Sequence, residues 1–322
     1  MRVRVARIAV VGLAALTVAG CTLGQDPGGE TARGSLADKG TLDGATLSVG
    51  SKEFTEQLVL CEITAIALES VGADVKRNCG MSGSTTVRNA LTSGSIDMYW
   101  EYTGTGWITH LQQTEPITDA AQQYEAVAKA DLEDNGIQWL APASANNTYG
   151  IAASSEKAAE LGVRTISDYA ALANRDPQQA TFCGAAEFFG RDDGWPGLQE
   201  AYGFELPRSS VAELALGAIY NSIDKSDPCI FGEVFETDGR IEALGLTVLE
   251  DDKNFFPVYN PSLTVRKQIM DEYPQLAAII EPISAALDGD TLRKLNAKVD
   301  VDGENEQQVA RDWLAEKGFI GS

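Results

Sequence analysis

The distribution of apolar residues predicts that the folded chain begins with a strand, a helix and a second strand. Two of the four residues at 46–49 are apolar, and from Phe54 to Leu68 apolar residues recur at spacings of four, three, four and three. That spacing places them on one face of a helix, which Gly72 ends. A second strand follows at 73–77, so this segment indicates a βαβ unit of a parallel sheet.

The same alternation of short apolar segments and helical periods continues along the chain. Further strands are predicted at 96–100, 138–141, 181–183, 230–235 and 246–249. Further helices are predicted at 85–92, 118–135, 166–173, 195–202, 211–222, 265–272, 275–287, 290–300 and 304–317. In open parallel sheets, ligands bind beyond the carboxyl ends of the strands. The loops after Val49, after Trp100 and at Tyr149 are therefore the candidate binding loops.

The N-terminal residues predict export and lipid attachment. A basic start precedes an apolar segment at about residues 8–19, which is short for a membrane span and typical of a secretory signal. The sequence VAGC at 18–21 resembles a bacterial lipobox, which implies a signal peptide at 1–20 and a lipid on Cys21. The alternative is an ordinary signal peptide with a chance cysteine. Residues 21–45 are rich in Gly and Asp and predict a flexible tether.

The charge balance argues against a polyanionic partner. The chain has 25 Lys and Arg residues against 47 Asp and Glu residues, which gives a formal net charge of −22. So acidic a protein repels nucleic acid and anionic lipid headgroups, and we expect no nucleic-acid partner. The simplest interpretation of the charge is that it keeps an exported protein soluble.

Four cysteines besides Cys21 predict two disulfides in an exported protein. Three pairings are possible. We favour Cys61 with Cys79 and Cys183 with Cys229, because each bond then closes within one predicted lobe. Metal binding is a poor alternative, since the chain has no CxxC motif and a single histidine, and we expect neither a metal ion nor a cofactor.

Five motifs, taken together and in order, resemble those of one family of binding proteins. They are GSKEFTEQ at 50–57, EYTGT at 101–105, EFFGRDDG and PGL within 187–198, TDGR at 237–240 and LEDDKNFFPVY at 249–259. Each motif alone is weak. The set resembles the substrate-binding proteins of ABC importers for the quaternary ammonium osmoprotectants glycine betaine, choline and carnitine. The resemblance extends over about residues 46–320.

The resemblance implies the fold as well as the function class. It implies an α/β, two-lobed periplasmic-binding-protein-like fold of type II, with two crossover strands and the ligand between the lobes. On that pattern the first lobe comprises residues 46–147 plus 258–322, and the second lobe comprises residues 148–257. The two crossovers then fall near Tyr149 and near Tyr259.

By resemblance, four rings form a cage for the cationic end of the ligand: Tyr102, Tyr149, Phe235 and Tyr259. A trimethylammonium group is fully charged but has no N–H, so it cannot donate a conventional hydrogen bond. Electron-rich ring faces suit it, and each contributes roughly 0.5–2 kcal/mol. The family has tyrosine where this chain has Phe235, which keeps the ring face and loses the hydroxyl. For each ring, core packing is the alternative.

The other end of a betaine is a carboxylate, and its candidate partners by resemblance are Lys52, Thr105 and Arg191. Lys52 lies at a strand-to-helix turn, where helix N-terminal amides favour an anion. Arg191 offers a two-pronged contact, and its alternative role is an ion pair with Asp192 or Asp193. Gln57 is a further candidate, although one helical turn along it could equally face solvent.

These residues predict an extracytoplasmic lipoprotein that captures a quaternary ammonium solute, glycine betaine first, and delivers it to the permease and ATPase subunits of an importer. We expect a monomer anchored by its lipid to the outer face of the cytoplasmic membrane. A choline- or carnitine-specific protein is one alternative. An exported enzyme is another, but GxSxG, HExxH and CxxC motifs are absent and His110 has no nucleophile beside it in sequence.

Overall fold

The computed structural model of the protein describes residues 34–113 and 117–321. The strands are β1 Thr46–Lys52, β2 Asp74–Met81, β3 Met98–Tyr102, β4 Ile137–Trp139, β5 Tyr149–Ser154, β6 Phe182–Gly184, β7 Val211–Glu213, β8 Phe231–Phe235, β9 Leu246–Val248 and β10 Pro261–Arg266. The helices are α1 Thr55–Ser70, α2 Ser84–Thr92, α3 Thr103–Thr105, α4 Ala120–Asn135, α5 Ser155–Leu161, α6 Ile166–Arg175, α7 Ala186–Gly190, α8 Trp195–Tyr202, α9 Leu216–Lys225, α10 Arg240–Ala243, α11 Lys267–Glu272, α12 Leu276–Ala286, α13 Gly289–Asp300 and α14 Glu306–Glu316.

The strands form two five-stranded sheets, in the orders β2-β1-β3-β10-β4 and β7-β6-β8-β5-β9. Helices pack against both sheets, so the fold is α/β with two lobes, as expected. The first sheet takes its strands from residues 46–139 and 261–266. The second takes its strands from residues 149–248. The chain therefore crosses between the sheets twice, before β5 and before β10.

The expectation of a parallel sheet is wrong for β5 and β10. β1 runs parallel to β2 and β3, but β10 is antiparallel to β3 and β4. β6 runs parallel to β7 and β8, but β5 is antiparallel to β8 and β9. Each antiparallel strand begins just after a crossing and starts beside the end of its neighbour. Tyr149 thus pairs with Phe235, and Pro261 pairs with Tyr102.

Helix α1 is buried more completely than its predicted single apolar face requires. Leu60, Ile63 and Ile66 are each 0% exposed, although they lie off the face that Phe54 and Leu68 define. The helix contacts β1 and β2 on one side and α13 and α14 on another. A helix that is covered from several directions can be apolar on most of its surface. This burial fixes the N-terminal end of α1, which follows the first candidate binding loop.

Two disulfides bridge the cysteine pairs that were favoured from the sequence. Cys61 on α1 bonds to Cys79 on β2, with 6.2 Å between the Cα atoms. Cys183 on β6 bonds to Cys229, just before β8, with 5.6 Å between the Cα atoms. Each bond joins elements that pack on a single sheet, so the predicted pairing is confirmed.

Part of the predicted tether packs on the first lobe. A 3-10 helix spans Ser35–Lys39, and Leu36 and Leu42 are 0% and 1% exposed. The backbone of Leu36 also donates a hydrogen bond to Phe319. The prediction of a flexible tether is therefore wrong for residues 34–45, because two leucines there find apolar partners. The predicted signal peptide, Cys21 and the remainder of the tether lie outside the described residues.

Within the described residues, no helix is both long enough and apolar enough to span a bilayer.

Candidate ligand-binding site

One cavity of the described residues lies where the edges of the two sheets face each other. Its volume is about 560 Å³. The carboxyl ends of β1, β3 and β8 and the first residue of β5 contribute Lys52, Tyr102, Phe235 and Tyr149 to its lining. Parallel strands deliver their loops to one edge of a sheet, and the two antiparallel strands begin at that same edge. The predicted binding loops are therefore brought together around one space.

All four rings predicted for the cage line this cavity, and a fifth ring joins them. Tyr149 contacts Phe235 at 5.1 Å between ring centroids and meets Tyr259 edge-on at 5.5 Å. Phe54 lies 5.2 Å from Phe235 and 6.2 Å from Tyr102. The rings thus form one continuous row that draws on both sheets and on both crossing segments. Such a row can present several ring faces to one cation.

The fifth ring, Phe54, was missed as a residue that lines the cavity. In the sequence it is simply the first apolar position of helix α1. In the structure it precedes Thr55, the first helical residue, with an extended backbone, and its side chain lines the cavity. Its place in the motif at residues 50–57, directly after a candidate loop, was the signal that could have identified it.

Tyr99 and Trp100 point to opposite faces of β3, and both pack inside the first lobe. They are 0% and 1% exposed, and the Trp100 indole donates a hydrogen bond of 2.7 Å to Thr64. Gly104 allows close packing in addition to a turn of the backbone. A Cβ atom there would lie 2.7 Å from the ring of Tyr259, so glycine is required for the close approach of that ring.

Lys52 is held in place by a carboxylate beneath the cavity. Its Nζ lies 2.7 Å from Oε1 of Glu101, and both side chains are almost completely buried. Glu101 also accepts hydrogen bonds from the Tyr99 hydroxyl and the Tyr102 backbone, and His110 Nε2 lies 2.8 Å from it. Burial favours a raised pKa for Glu101, but the charges of Lys52 and His110 outweigh burial and hold this pKa well below its ordinary value.

Lys52 nevertheless remains available to the cavity. The pair with Glu101 uses one of its three N–H donors, and Nζ lies 4.9 Å from the centroid of the Tyr102 ring. The side chain therefore presents positive charge beside the first ring of the row. A ligand carboxylate near Tyr102 would find a cation there whose position is already fixed.

Arg191 forms the ion pair with Asp193 that was its alternative role. Nε donates to Oδ1 of Asp193 at 2.7 Å and Nη2 donates to Oδ2 at 2.5 Å. Nη1 donates to Glu187 at 3.1 Å, and Nη2 also reaches the Thr105 hydroxyl at 3.3 Å. Four of the five guanidinium N–H groups are therefore engaged, which leaves one on Nη1 for a ligand. Tyr259 supports the same network by donating to Asp193 at 2.6 Å.

The two sheets are also linked directly across the cavity mouth. Ser84 on α2 donates its backbone N–H and its hydroxyl to the carboxylate of Glu187 on α7, at 3.0 and 2.6 Å. The bond from Arg191 to Thr105 joins the same two sides. The cavity is therefore bounded by polar contacts that can form only when the two sides are close together.

A second buried carboxyl, Glu56, ties the rings to the crossing segments. One of its oxygens accepts from the Tyr102 hydroxyl at 2.8 Å and from the Asn147 amide at 2.6 Å. The other accepts from Thr237 at 2.6 Å and from Asn296 at 3.1 Å. Burial raises the pKa of Glu56, and these four donors partly offset that rise. The network holds Tyr102 in place relative to the segment that crosses between the sheets.

The comparison with known proteins identifies the class of this site. The family whose description reads substrate-binding domain of ABC-type glycine betaine transport system matches residues 45–316. The chain belongs to this family. It is therefore a substrate-binding protein of a betaine, choline or carnitine type of ABC transporter, and it is not an enzyme. Members of the family bind small quaternary ammonium ligands outside the cytoplasm and work with the permease components of their transporter.

Three curated relatives illustrate the range of the family. A glycine-betaine-binding protein of Pseudomonas aeruginosa is 39% identical over 287 residues, which are 87% of this chain and 91% of the relative. The glycine betaine-binding protein YehZ of Escherichia coli is 36% identical over 280 residues, 85% of this chain and 91% of the relative. The ergothioneine transport permease/ergothioneine binding protein EgtU of Helicobacter pylori is 33% identical over 285 residues, 88% of this chain and 50% of that protein.

Solved structures of the family have the same fold. The structure of apo YehZ from Escherichia coli is 34% identical, has a TM-score of 0.63, and matches 85% of this chain and 99% of that chain. A glycine betaine/carnitine/choline ABC transporter structure is 22% identical with a TM-score of 0.69, over 85% of this chain and 99% of that one. The second similarity concerns the fold alone.

Two further residues, one of them from the family motifs, have placements that the sequence analysis did not give. Gln57 neither lines the cavity nor faces solvent. It is 0% exposed, donates to the Trp100 carbonyl at 2.9 Å and accepts from the Lys52 backbone at 3.3 Å. Its amide joins β1 to β3 beneath the site, so its contribution to ligand binding is indirect. Gln57 lies in the first turn of α1, and its side chain points into the lobe.

The second is Glu233 on β8, which was not considered from the sequence. Its side chain lines the cavity and is 1% exposed. One oxygen accepts a hydrogen bond of 2.7 Å from the backbone of Ala185. Burial raises the pKa of Glu233 to about 8. A glutamate within an apolar strand gives no sign in the sequence of which side of the strand faces a ligand.

Proposed function

We propose that the protein captures a quaternary ammonium compatible solute, with glycine betaine as the first candidate, and delivers it to the permease of an ABC importer. The observation that carries this proposal is the row of five rings beside two cationic side chains in one cavity. The rings suit a trimethylammonium group, and Lys52 and Arg191 suit the carboxylate that glycine betaine carries at its other end.

In this proposal the cation lies against Tyr102, Tyr149, Phe235 and Tyr259, with Phe54 as a further wall. Each ring face contributes roughly 0.5–2 kcal/mol once water is excluded. Several such contacts suffice for binding in about the micromolar range after the costs of ordering are subtracted. Because Phe235 lacks a hydroxyl, it contributes only its ring.

The ligand carboxylate lies between Lys52, Thr105 and the remaining N–H of Arg191. Lys52 offers two N–H donors that the pair with Glu101 leaves unused. Arg191 and Thr105 already contact each other from opposite sides of the cavity. A carboxylate at this point would bond to both sides at once and so stabilise the closed arrangement, which the permease can sense.

The proposed lobes are residues 46–147 plus 258–322 and residues 148–257, hinged at the two crossing segments. Those segments lie side by side, since the backbone of Asn147 donates to Tyr259 and that of Tyr259 donates to the side chain of Asn146. We also propose that the protein is exported as a monomer and held to the outer face of the cytoplasmic membrane by a lipid on Cys21. The lipobox-like sequence at 18–21 supports the anchor.

Calorimetric titration of the purified protein tests the ligand assignment. The ligands are glycine betaine, choline, carnitine, proline betaine and ergothioneine, the last because it appears in the name of the Helicobacter pylori relative. We expect glycine betaine to bind and choline, which has no carboxylate, to bind more weakly. Tighter binding of choline or carnitine would instead favour a protein specific for that compound.

Three variants test the assigned roles. Tyr102→Ala and Tyr259→Ala should each weaken binding of glycine betaine about tenfold or more, because each removes one ring face. Arg191→Ala should weaken glycine betaine more than choline. Unchanged binding in both tyrosine variants would refute the cage, and an unchanged preference in Arg191→Ala would refute the carboxylate site.

A further inference from the structure

A carboxylate on one side of the cavity supplies the cap of a helix on the other side. The N-cap residue of α2 is Gly83, which has no side chain to cap the helix. Glu187 on α7 takes this role instead. Its Oε2 accepts from the backbone N–H of Ser84 at 3.0 Å, and its Oε1 accepts from the Ser84 hydroxyl at 2.6 Å. Both oxygens of one carboxylate are thus bonded to a single residue of the opposite lobe.

The start of α2 is built to receive this carboxylate. Ser84 is 2% exposed, and the first N–H groups of a helix have no partner within the helix and favour a negative charge. Gly83 lies against Glu187, since a Cβ atom at Gly83 would be 3.7 Å from Oε2 of Glu187. The N–H of Gly83 itself donates to Glu53 of its own lobe at 3.0 Å. The end of α2 is therefore shared between one carboxylate of each lobe.

The carboxyl of Glu187 is ionised in this position. Burial favours a raised pKa for it, but the charges of Lys52 and Arg191 and the two bonds from Ser84 hold the pKa below its ordinary value. Arg191 also donates to Oε1 at 3.1 Å, which orients the carboxylate. A hydrogen bond to an ionised group is roughly twice as strong as one between neutral groups. The contact can therefore change the balance between open and closed lobes.

The contact joins the two sides of the cavity without a ligand between them. The other direct link, from Arg191 to Thr105, adjoins the proposed carboxylate site, whereas this one joins α2 to α7 at the mouth. We propose that Ser84 and Glu187 form a clasp that holds the lobes closed over a bound ligand and slows its release without contacting it. Glu187 is thus a positioning residue. Separation of the lobes breaks both bonds and leaves the first turn of α2 without its cap.

The clasp favours the closed form by the same amount for every ligand. A ligand stabilises closed lobes through its own contacts, and the clasp adds to that stability whichever ligand is present. Loss of the Ser84 hydroxyl should therefore weaken all ligands by one common factor. The change should appear in the dissociation rate, because the clasp forms only after the ligand has entered. This inference rests on the proposed function, since it needs a ligand that enters and leaves by movement of the two lobes.

Stopped-flow fluorescence and calorimetric titration of variants test the clasp. Ser84→Ala removes the hydroxyl and should raise the dissociation rate of glycine betaine about fivefold, with a similar rise in Kd for each ligand of the titration series that binds. Glu187→Ala removes both bonds and should have a larger effect. In the double variant, the change at Ser84 should add nothing to that of Glu187→Ala, because the hydroxyl has already lost its acceptor.

Ser93→Ala is the matched control. Ser93 follows the last residue of the same helix, is exposed, and donates to the Ala90 carbonyl of its own lobe at 3.2 Å. This change should leave both the dissociation rate and Kd unaltered. A dissociation rate does not depend on how much of a variant is folded, so a partial loss of folded protein cannot imitate the loss of the clasp.

The failure of the clasp and the failure of the proposed function have different signatures. If no quaternary ammonium compound binds, the proposed function fails and the clasp fails with it. If glycine betaine binds but Ser84→Ala and Glu187→Ala leave its dissociation rate unchanged, the clasp alone is overturned. The clasp is also overturned if Ser84→Ala acts just as strongly in the Glu187→Ala protein, or weakens one ligand much more than another, since Ser84 would then contact the ligand itself.

Discussion

Glu101 and Glu233 are both buried carboxyls at the binding site, and the protein treats them in opposite ways. Glu101 on β3 is surrounded by Lys52, His110 and further donors, and its pKa lies well below the ordinary value. Glu233 on β8 has one backbone donor, and burial raises its pKa to about 8. Within the described residues, Glu101 is thus paired by several groups of the protein, whereas Glu233 has one hydrogen-bond partner.

The difference shows how a buried charge can be interpreted. A buried carboxylate whose two oxygens both accept hydrogen bonds from the protein has a structural role. Removing it leaves its hydrogen-bond partners unpaired. A buried carboxyl without such partners costs free energy in the ligand-free protein.

The largest effect is expected for Glu101→Gln. This change leaves Lys52 buried without its counter-charge, and it should lower the free energy of unfolding by about 3–5 kcal/mol. Chemical denaturation of the ligand-free protein measures it. A loss below about 1 kcal/mol would show that Glu101 contributes no more to stability than a surface carboxylate does.

Glu56→Gln should have the next largest effect. The two oxygens of Glu56 accept four hydrogen bonds, but a glutamine amide can accept at only one of its two ends. At least one buried donor then loses its partner, which costs about 2 kcal/mol in unfolding free energy. Denaturation reports this loss, and binding of glycine betaine should also weaken because Tyr102 loses its support. Unaltered stability would contradict the network.

The pH dependence of stability distinguishes Glu233 from Glu101, whose pKa is lowered. Because its pKa is raised from 4.5 to about 8, the protonated form is favoured in the fold. Its contribution to stability is complete below pH 4.5 and is lost as the pH rises towards 8. Between pH 6 and pH 7 the native protein should therefore lose about 1 kcal/mol relative to Glu233→Gln. Parallel stability curves for the two proteins over this interval would contradict the raised pKa.

The smallest effect is expected for an exposed carboxylate that does have a partner. Asp271 pairs with Lys267 at 2.5 Å on the surface of α11, and both side chains are more than half exposed. Asp271→Asn should change the free energy of unfolding by about 0.5 kcal/mol or less. A loss as large as that of Glu101→Gln would mean that burial does not decide the difference between these carboxylates.

The sequence could predict those parts of the site that depend on motif order and strand ends. Tyr102, Tyr149, Phe235 and Tyr259 were assigned to one cage by resemblance to the family motifs, and the structure brings their side chains to one cavity. Alternation along β3 places Tyr99 and Trp100 on opposite faces of the strand, and both side chains are buried.

Other features depend on tertiary contacts that no local pattern records. Gln57 turns inward to two backbone groups, and within the described residues Glu233 accepts one hydrogen bond from the protein, that of the Ala185 backbone. The reversed direction of β5 and β10 follows from where the chain crosses between sheets. The backbone of Leu36 donates to Phe319 near the end of the chain and that of Leu42 donates to Val71, so both leucines are buried where composition predicted a tether.

The central claim is that a positive charge, and not merely a trimethyl shape, is recognised by the rings of this cavity. Calorimetric titration with glycine betaine and with 3,3-dimethylbutanoate, in which carbon replaces the nitrogen, tests it directly. The two ligands share shape and carboxylate, and only the first carries the cation. The account predicts that glycine betaine binds at least about tenfold more tightly. Equal affinities for the two compounds would contradict it.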